Sequence, residues 1–176
     1  MRKIIESIEE EYRRYRKLGE GAFAQLHDAE LSAAASGGGN SAAVLVWHVA
    51  GNLASRFTDF LTSDGEKPWR QRDEEFKARQ VSRKELLEKW ESGWSVLVAA
   101  LAALSDEDLG RTVTIRGKPL KVHEALHRSL AHAAYHVGQI VYIAKEMRGV
   151  SWKSLSIPLG GSAAYNLSPD RERPPR

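Results

Sequence analysis

Apolar residues recur at steps of three and four from residue 2 to about 34, at Ile4, Ile5, Ile8, Tyr12, Tyr15, Leu18, Phe23, Leu26 and Leu31. That spacing predicts one long amphipathic helix. The run "ASGGGNS" ends it, because three glycines do not hold a helix and Asn40 or Ser41 can cap the next one. A second, mostly apolar helix is predicted over about 41–62. The polar stretch "SDGEKPWRQRDEEF" then reads as a loop, with Asp64-Gly65 and Pro68 as breakers. Ser82 followed by Glu85 has the form of a capping box and starts a third helix that runs to near Leu104. In "SDEDLGRTVTIRGKPLKV" apolar and polar residues alternate on both sides of Arg116-Gly117, which predicts a short hairpin. A fourth helix is predicted over about 121–147, stopping at Gly149. The remainder, "SWKSLSIPLGGSAAYNLSPDRERPPR", is irregular; Trp152, Leu155, Ile157 and Tyr165 can pack back onto the helices, and residues 168–176 are expected to be a disordered tail.

The elements together predict an all-α fold. It is a single domain over 1–167, built as a four-helix bundle with a hairpin between its third and fourth helices and an irregular C-terminal tail. A chain of 176 residues suits one core. With 42% hydrophobic and 28% charged residues the balance is that of a soluble globular protein. No apolar run approaches the roughly 18 residues a membrane helix needs, and the charged start "MRKIIESIEEEYRRY" lacks a signal-peptide core. The net charge is +3, but bases and acids are interleaved, so neither a nucleic-acid footprint nor a membrane partner is expected. The absence of cysteine excludes disulfides and thiolate ligands and fits a cytoplasmic location. Any metal site must then use histidine, carboxylate, amide or water.

The fourth helix contains "HRSLAHAAYHVGQ". With about 100° of rotation per residue, His132 and His136 fall near 180° and 220° from His123, on the arc of Ala125, Ile140, Ile143 and Met147. His123 and His127 lie nearer the polar edge and read as ordinary helix residues. Two inward imidazoles must find partners, since an unpaired buried polar group costs about 1–3 kcal/mol. Each can be satisfied by a backbone carbonyl or a tyrosine; a shared divalent ion satisfies both at once. The second helix offers a third ligand, His48, which heads a polar stripe with Asn52 and Arg56 down an otherwise apolar helix. Three neutral imidazoles at His48, His132 and His136 would leave a coordination position for water, the arrangement of catalytic rather than structural zinc.

These residues carry a resemblance. One histidine in "WHVAGN", the pair in "HAAYHVGQI" and the order of the helices resemble the DinB/YfiT-like superfamily of bacterial metal-binding four-helix bundles, over about residues 5–165. The stretch 51–76, "GNLASRFTDFLTSDGEKPWRQRDEEF", is similar to the signature of an uncharacterised branch of it. The resemblance implies a divalent ion, usually zinc or nickel, held by His48, His132 and His136. It also implies frequent homodimers, and relatives that are thiol-dependent transferases or isomerases, or hydrolases. Its chemistry carries over no further than the metal.

The expected function is therefore a metal-dependent thiol transferase or hydrolase acting on a small-molecule substrate, with a low-molecular-weight thiol as a candidate co-substrate. The alternative is a non-catalytic metal-binding dimer, with a possible role in stress. Asn52, one turn from His48, is placed to orient a ligand, and Arg56 or Arg70 to fork onto a substrate carboxylate. The acids and arginines of 64–76 read either as a surface ion-pair loop capped by Trp69 and Phe76 or as part of the site. Glu74 and Glu75 read as ordinary solvated acids, Gln139 as a packing residue, and Tyr135 and Tyr142 as packing residues that could also donate protons. No general base is assigned, and no P-loop or Ser-His-Asp pattern is present.

Overall fold

The computed structural model describes residues 2–169, so the expected tail lies outside the described residues from residue 170 onward. The chain is mostly helical, with one two-stranded sheet. Its helices are α1 (Lys3–Gln25), α2 (Asp28–Ser32), α3 (Ala42–Phe57), α4 (Arg72–Glu75), α5 (Arg83–Ala102), α6 (Val122–Arg148) and α7 (Ser162–Leu167). The four long helices touch in a closed circuit: α1 on α6, α6 on α3, α3 on α5, and α5 on α1. Among the described residues no helix is long and apolar enough to cross a membrane.

Where end signals are local, the elements start and stop as the pattern predicts. The Ser82 hydroxyl accepts from Glu85 N–H at 3.2 Å and Glu85 Oε2 accepts from Ser82 N–H at 2.8 Å, closing the capping box of α5. Ser41 accepts from Val44 N–H at 3.2 Å and starts α3. Gly149, with φ 50°, stops α6 in a conformation that favours glycine. Strands β1 (Thr112–Ile115) and β2 (Lys118–Lys121) pair antiparallel, Ile115 opposite Lys118. The turn residues Arg116 and Gly117 have φ of 54° and 69°, the two left-handed positions of a tight hairpin turn.

Two boundaries and the C-terminal segment differ from expectation. The first helix does not run on to 34. It stops at Gln25, where Arg83 donates to the carbonyls of Phe23 and Leu26 at 2.8 and 2.6 Å and so satisfies chain-end acceptors. The chain then restarts as α2. The second helix ends at Phe57 instead of 62, although Phe60 and Leu61 still pack on the core. Beyond it Asp59 adopts φ 48° and the loop turns back, with Ser55 Oγ donating to Gly65 O at 2.8 Å. The C-terminal segment is not wholly irregular, since it contains α7, while Trp152 and Leu155 pack against the core as expected.

Helices α3 and α5 approach so closely that a Cβ on Gly93 would lie 2.5 Å from Ala50 Cα. This contact fixes the height of α3 against the rest of the core. The hairpin is joined to the loop after α3. Gly65 N–H donates to Thr114 O at 2.8 Å, and Asp64 accepts from the N–H groups of Arg116 and Gly117, each at 2.8 Å. Loop and hairpin together wall one side of a cleft between α3 and α6.

Candidate metal centre

His48 on α3 faces His132 and His136 on α6. The ring centroids are 5.1 Å apart for His48 and His132 and 4.6 Å for each of the other two pairs. One ligand nitrogen from each lies within 4.8 Å of the others. His48 Nε2 and His132 Nε2 are 3.1 Å apart. Two nitrogens bound at about 2.05 Å to one ion and separated by that distance subtend roughly 98° at it, within the range of a distorted tetrahedral site.

The rings are held by their other nitrogens. His48 Nδ1 donates to Glu75 Oε2 at 2.9 Å. His136 Nδ1 contacts Gln139 Oε1, an acceptor, at 2.8 Å, so that nitrogen carries the proton. In both rings this leaves Nε2 as the bare, ligand-competent atom, the orientation that carboxylate and amide partners impose on metal-binding histidines. Burial, then the neighbouring His136 and His48 and the Arg70 and Arg56 charges, push His132 down to about 3. Burial likewise lowers His136. A bound cation requires neutral imidazoles, and His132 and His136 favour that form.

Glu75 corrects the reading of the 74–75 pair as solvated acids. It is buried, and its carboxylate is gripped by Arg70, Nε to Oε1 at 2.8 Å and Nη2 to Oε2 at 2.9 Å. Burial acts to raise its pKa, but the hydrogen bonds from Arg70 and His48 outweigh that and hold it below the ordinary carboxylate range. Gly51 makes room for it: a Cβ there would lie 2.3 Å from Glu75 Oε1. Gln139, read as a packing residue, is the His136 partner. Phe76 lies against the His48 ring, centroids 4.4 Å apart, whereas Trp69 is exposed.

The three histidines open into a cleft of about 390 Å³ between α3, α6, the hairpin and the 64–76 loop. Asn52 and Arg56, the rest of the α3 stripe, line it, and so do Arg70 and Tyr135. Arg56 is engaged in the wall. It donates to Gly65 O and, through both Nη atoms at 3.1 Å, to Glu66 Oε2, which also accepts from Arg116 Nε at 3.0 Å. Burial and the adjacent Arg70 charge lower the Arg56 pKa. His123 and His127 stand apart from the cluster: His123 Nδ1 meets Leu109 O at 3.0 Å, and His127 is exposed. Tyr142 is exposed and does not line the cleft.

Comparison with curated proteins and with solved structures gives no match. A family profile described as "Protein of unknown function (DUF1572)" matches residues 1–161, a span that contains all three histidines, Glu75 and Gln139. The chain belongs to the DUF1572 family.

Proposed function

We propose that the protein is a metal-dependent enzyme with the architecture of a DinB/YfiT-like four-helix bundle, and that it transfers a thiol to a small electrophilic substrate. The observation that carries the reading is the convergence of His48, His132 and His136, two of them oriented through Nδ1 by Glu75 and Gln139. Zinc or nickel suits three neutral imidazoles without a thiolate. Such an ion, when bound, would supply Lewis acidity to a thiol or water.

The chain's own residues divide the remaining work. The Glu75–His48 contact makes His48 a stronger donor, and Arg70 keeps the carboxylate ionised. Asn52 lines the cleft one turn from His48, where its amide can hydrogen-bond the substrate. Arg56 holds the loop wall through Gly65 and Glu66. In thiol transfer, sulfur bonds to an electrophilic carbon, the leaving group departs with the electron pair, and the thiol proton passes to solvent. Hydrolysis needs in addition a base to take a proton from water. The residues lining the cleft include no carboxylate, which favours thiol transfer over hydrolysis.

The test begins with untagged protein and elemental analysis. About one zinc or nickel per chain is expected, lost on His48→Ala and on His132→Ala. The metal-loaded protein should then consume a low-molecular-weight thiol in the presence of activated halide or epoxide electrophiles, and chelation should abolish this. Protein without stoichiometric metal overturns the metal reading. Fully loaded protein inert to thiol and electrophile panels overturns the catalytic one.

A further inference from the structure

Two polar stripes face one another across the cleft. Down α3 run His48, Asn52 and Arg56; down α6 run Arg128, His132 and His136, spaced by four residues in each case. The imidazoles of the two stripes face one another. Five guanidinium groups line the cleft: Arg56, Arg70, Arg72, Arg116 and Arg128. Three are hydrogen-bonded to carboxylates of the wall. Arg56 and Arg116 share Glu66, and Arg70 is held by Glu75.

The other two are not. The Arg72 guanidinium comes no nearer to a carboxylate than 3.8 Å from Asp73, whose side chain is 99% exposed. It lies instead 5.0 Å above the Phe76 ring, the ring packed on His48. The Arg128 side chain makes no hydrogen bond or ion pair with any described residue, and it stands one helical turn before His132. Phe57, Phe60 and Ile115 supply an apolar wall to the same cleft. A cleft with cationic edges, an apolar wall and no lining acid selects by charge as well as shape.

We propose that the cleft takes an organic anion, with its carboxylate or phosphoryl group bound by Arg72 and Arg128 and its apolar body against Phe57, Phe60 and Ile115. This names the substrate class of the site proposed above and rests on that reading for its catalytic meaning, though not for the binding itself. Arg70 is already bound in bidentate fashion by Glu75, and the stripe residue Arg56 gives both Nη atoms to one oxygen of Glu66, so the anion-binding role falls to Arg72 and Arg128. The guanidinium fork suits either head group.

Isothermal titration separates these terms. Phenylacetate, phenyl phosphate and phenylacetamide are titrated into the protein as purified, with its metal content determined. The titrations are repeated after chelation, with circular dichroism confirming that the helices remain. The two anions should bind at least about tenfold more tightly than the neutral amide in both states, and more weakly at high salt. Whichever anion binds tighter identifies the preferred head group. Arg72→Gln or Arg128→Gln should weaken anion binding about tenfold or more, with phenylacetamide unaffected. Both side chains are solvent-accessible, so the variants should fold, which thermal melting checks. Equal affinity for phenylacetate and phenylacetamide overturns the proposal, as does wild-type anion affinity in both variants. Anion binding that appears only in metal-loaded protein overturns it too, since the ion alone would then recruit the anion. If the chain holds no metal but discriminates anion from amide through these arginines, the metal reading fails and this one stands.

Discussion

Gly51→Ala tests the support of the metal centre. A methyl group at this position of α3 would lie 2.3 Å from Glu75 Oε1, 2.8 Å from Cδ and 3.3 Å from Cγ. Ordinary contact needs roughly 3.5 Å, so the carboxylate must retreat by about 1 Å. It is held by two bonds from Arg70, at 2.8 and 2.9 Å, and one to His48 at 2.9 Å. Charge-assisted bonds of this kind lie in a narrow window near 2.7–2.9 Å, and a 1 Å retreat breaks at least the bond to His48. Loss of such a carboxylate partner typically costs about 10–100-fold in metal affinity, or about 1.4–2.7 kcal/mol. Alanine is meanwhile the better helix former by about 1 kcal/mol. The two effects have separate readouts. Competition with a chromogenic chelator should show the affinity loss, while the melting temperature of the chelated protein changes little, because helix propensity offsets the broken hydrogen bonds. A glycine with no such role would give the opposite pattern, a higher melting temperature and unchanged affinity. That result would refute the claim that Glu75 orients His48 for an ion. Glu75→Gln, which keeps the size and removes the charge, should share the affinity loss.

Two further outcomes test the frame around the site. Gly93→Ala would bring a Cβ to 2.5 Å from Ala50 Cα and 2.9 Å from Ala50 O, backbone atoms that cannot step aside, so α3 and α5 must separate. A loss of about 1–3 kcal/mol, or about 2–4 °C in melting temperature per kcal/mol for a chain of this size, should appear by thermal circular dichroism, and an unchanged midpoint would contradict the close helix contact. Asp64 accepts from the N–H groups of Glu66 at 2.7 Å and of Gly117 and Arg116 at 2.8 Å, and these donors hold its pKa well below the ordinary aspartate value. A depressed folded-state pKa gives stability that is full above the unfolded value near 4 and lost as the pH falls through the folded value. Asp64→Asn should therefore cost about 1 kcal/mol at neutral pH after solvent screening, and the gap to wild type should narrow steadily in acid below about pH 4. A gap that stayed constant on acidification would show that the aspartate charge does not hold the turn.

The parts of this molecule that are legible in its sequence are those whose causes lie within one helical turn. Ser82 with Glu85, Arg116 with Gly117, and Gly149 mark their boundaries because cap, turn and stop are local events. His48, His132 and His136 were visible because each interrupts an apolar face, and a face is a local property. The end of α1 was not visible, since it depends on Arg83, which lies 60 residues beyond Phe23. Glu75 was hidden for the same reason: it is 27 residues from His48, and among "RDEEF" nothing distinguishes the acid that turns inward from the one that stays in water. The usable trace lay on the other partner. Gly51 sits inside an otherwise strong helix, three residues after His48, where a glycine costs about 1 kcal/mol against alanine and needs a structural reason. A helix that accepts that cost beside an inward histidine must leave space for another group to reach the ring. The nearest acids able to reach it are in the loop that follows α3, and Phe76 beside them is the apolar anchor that brings that loop down onto the imidazole.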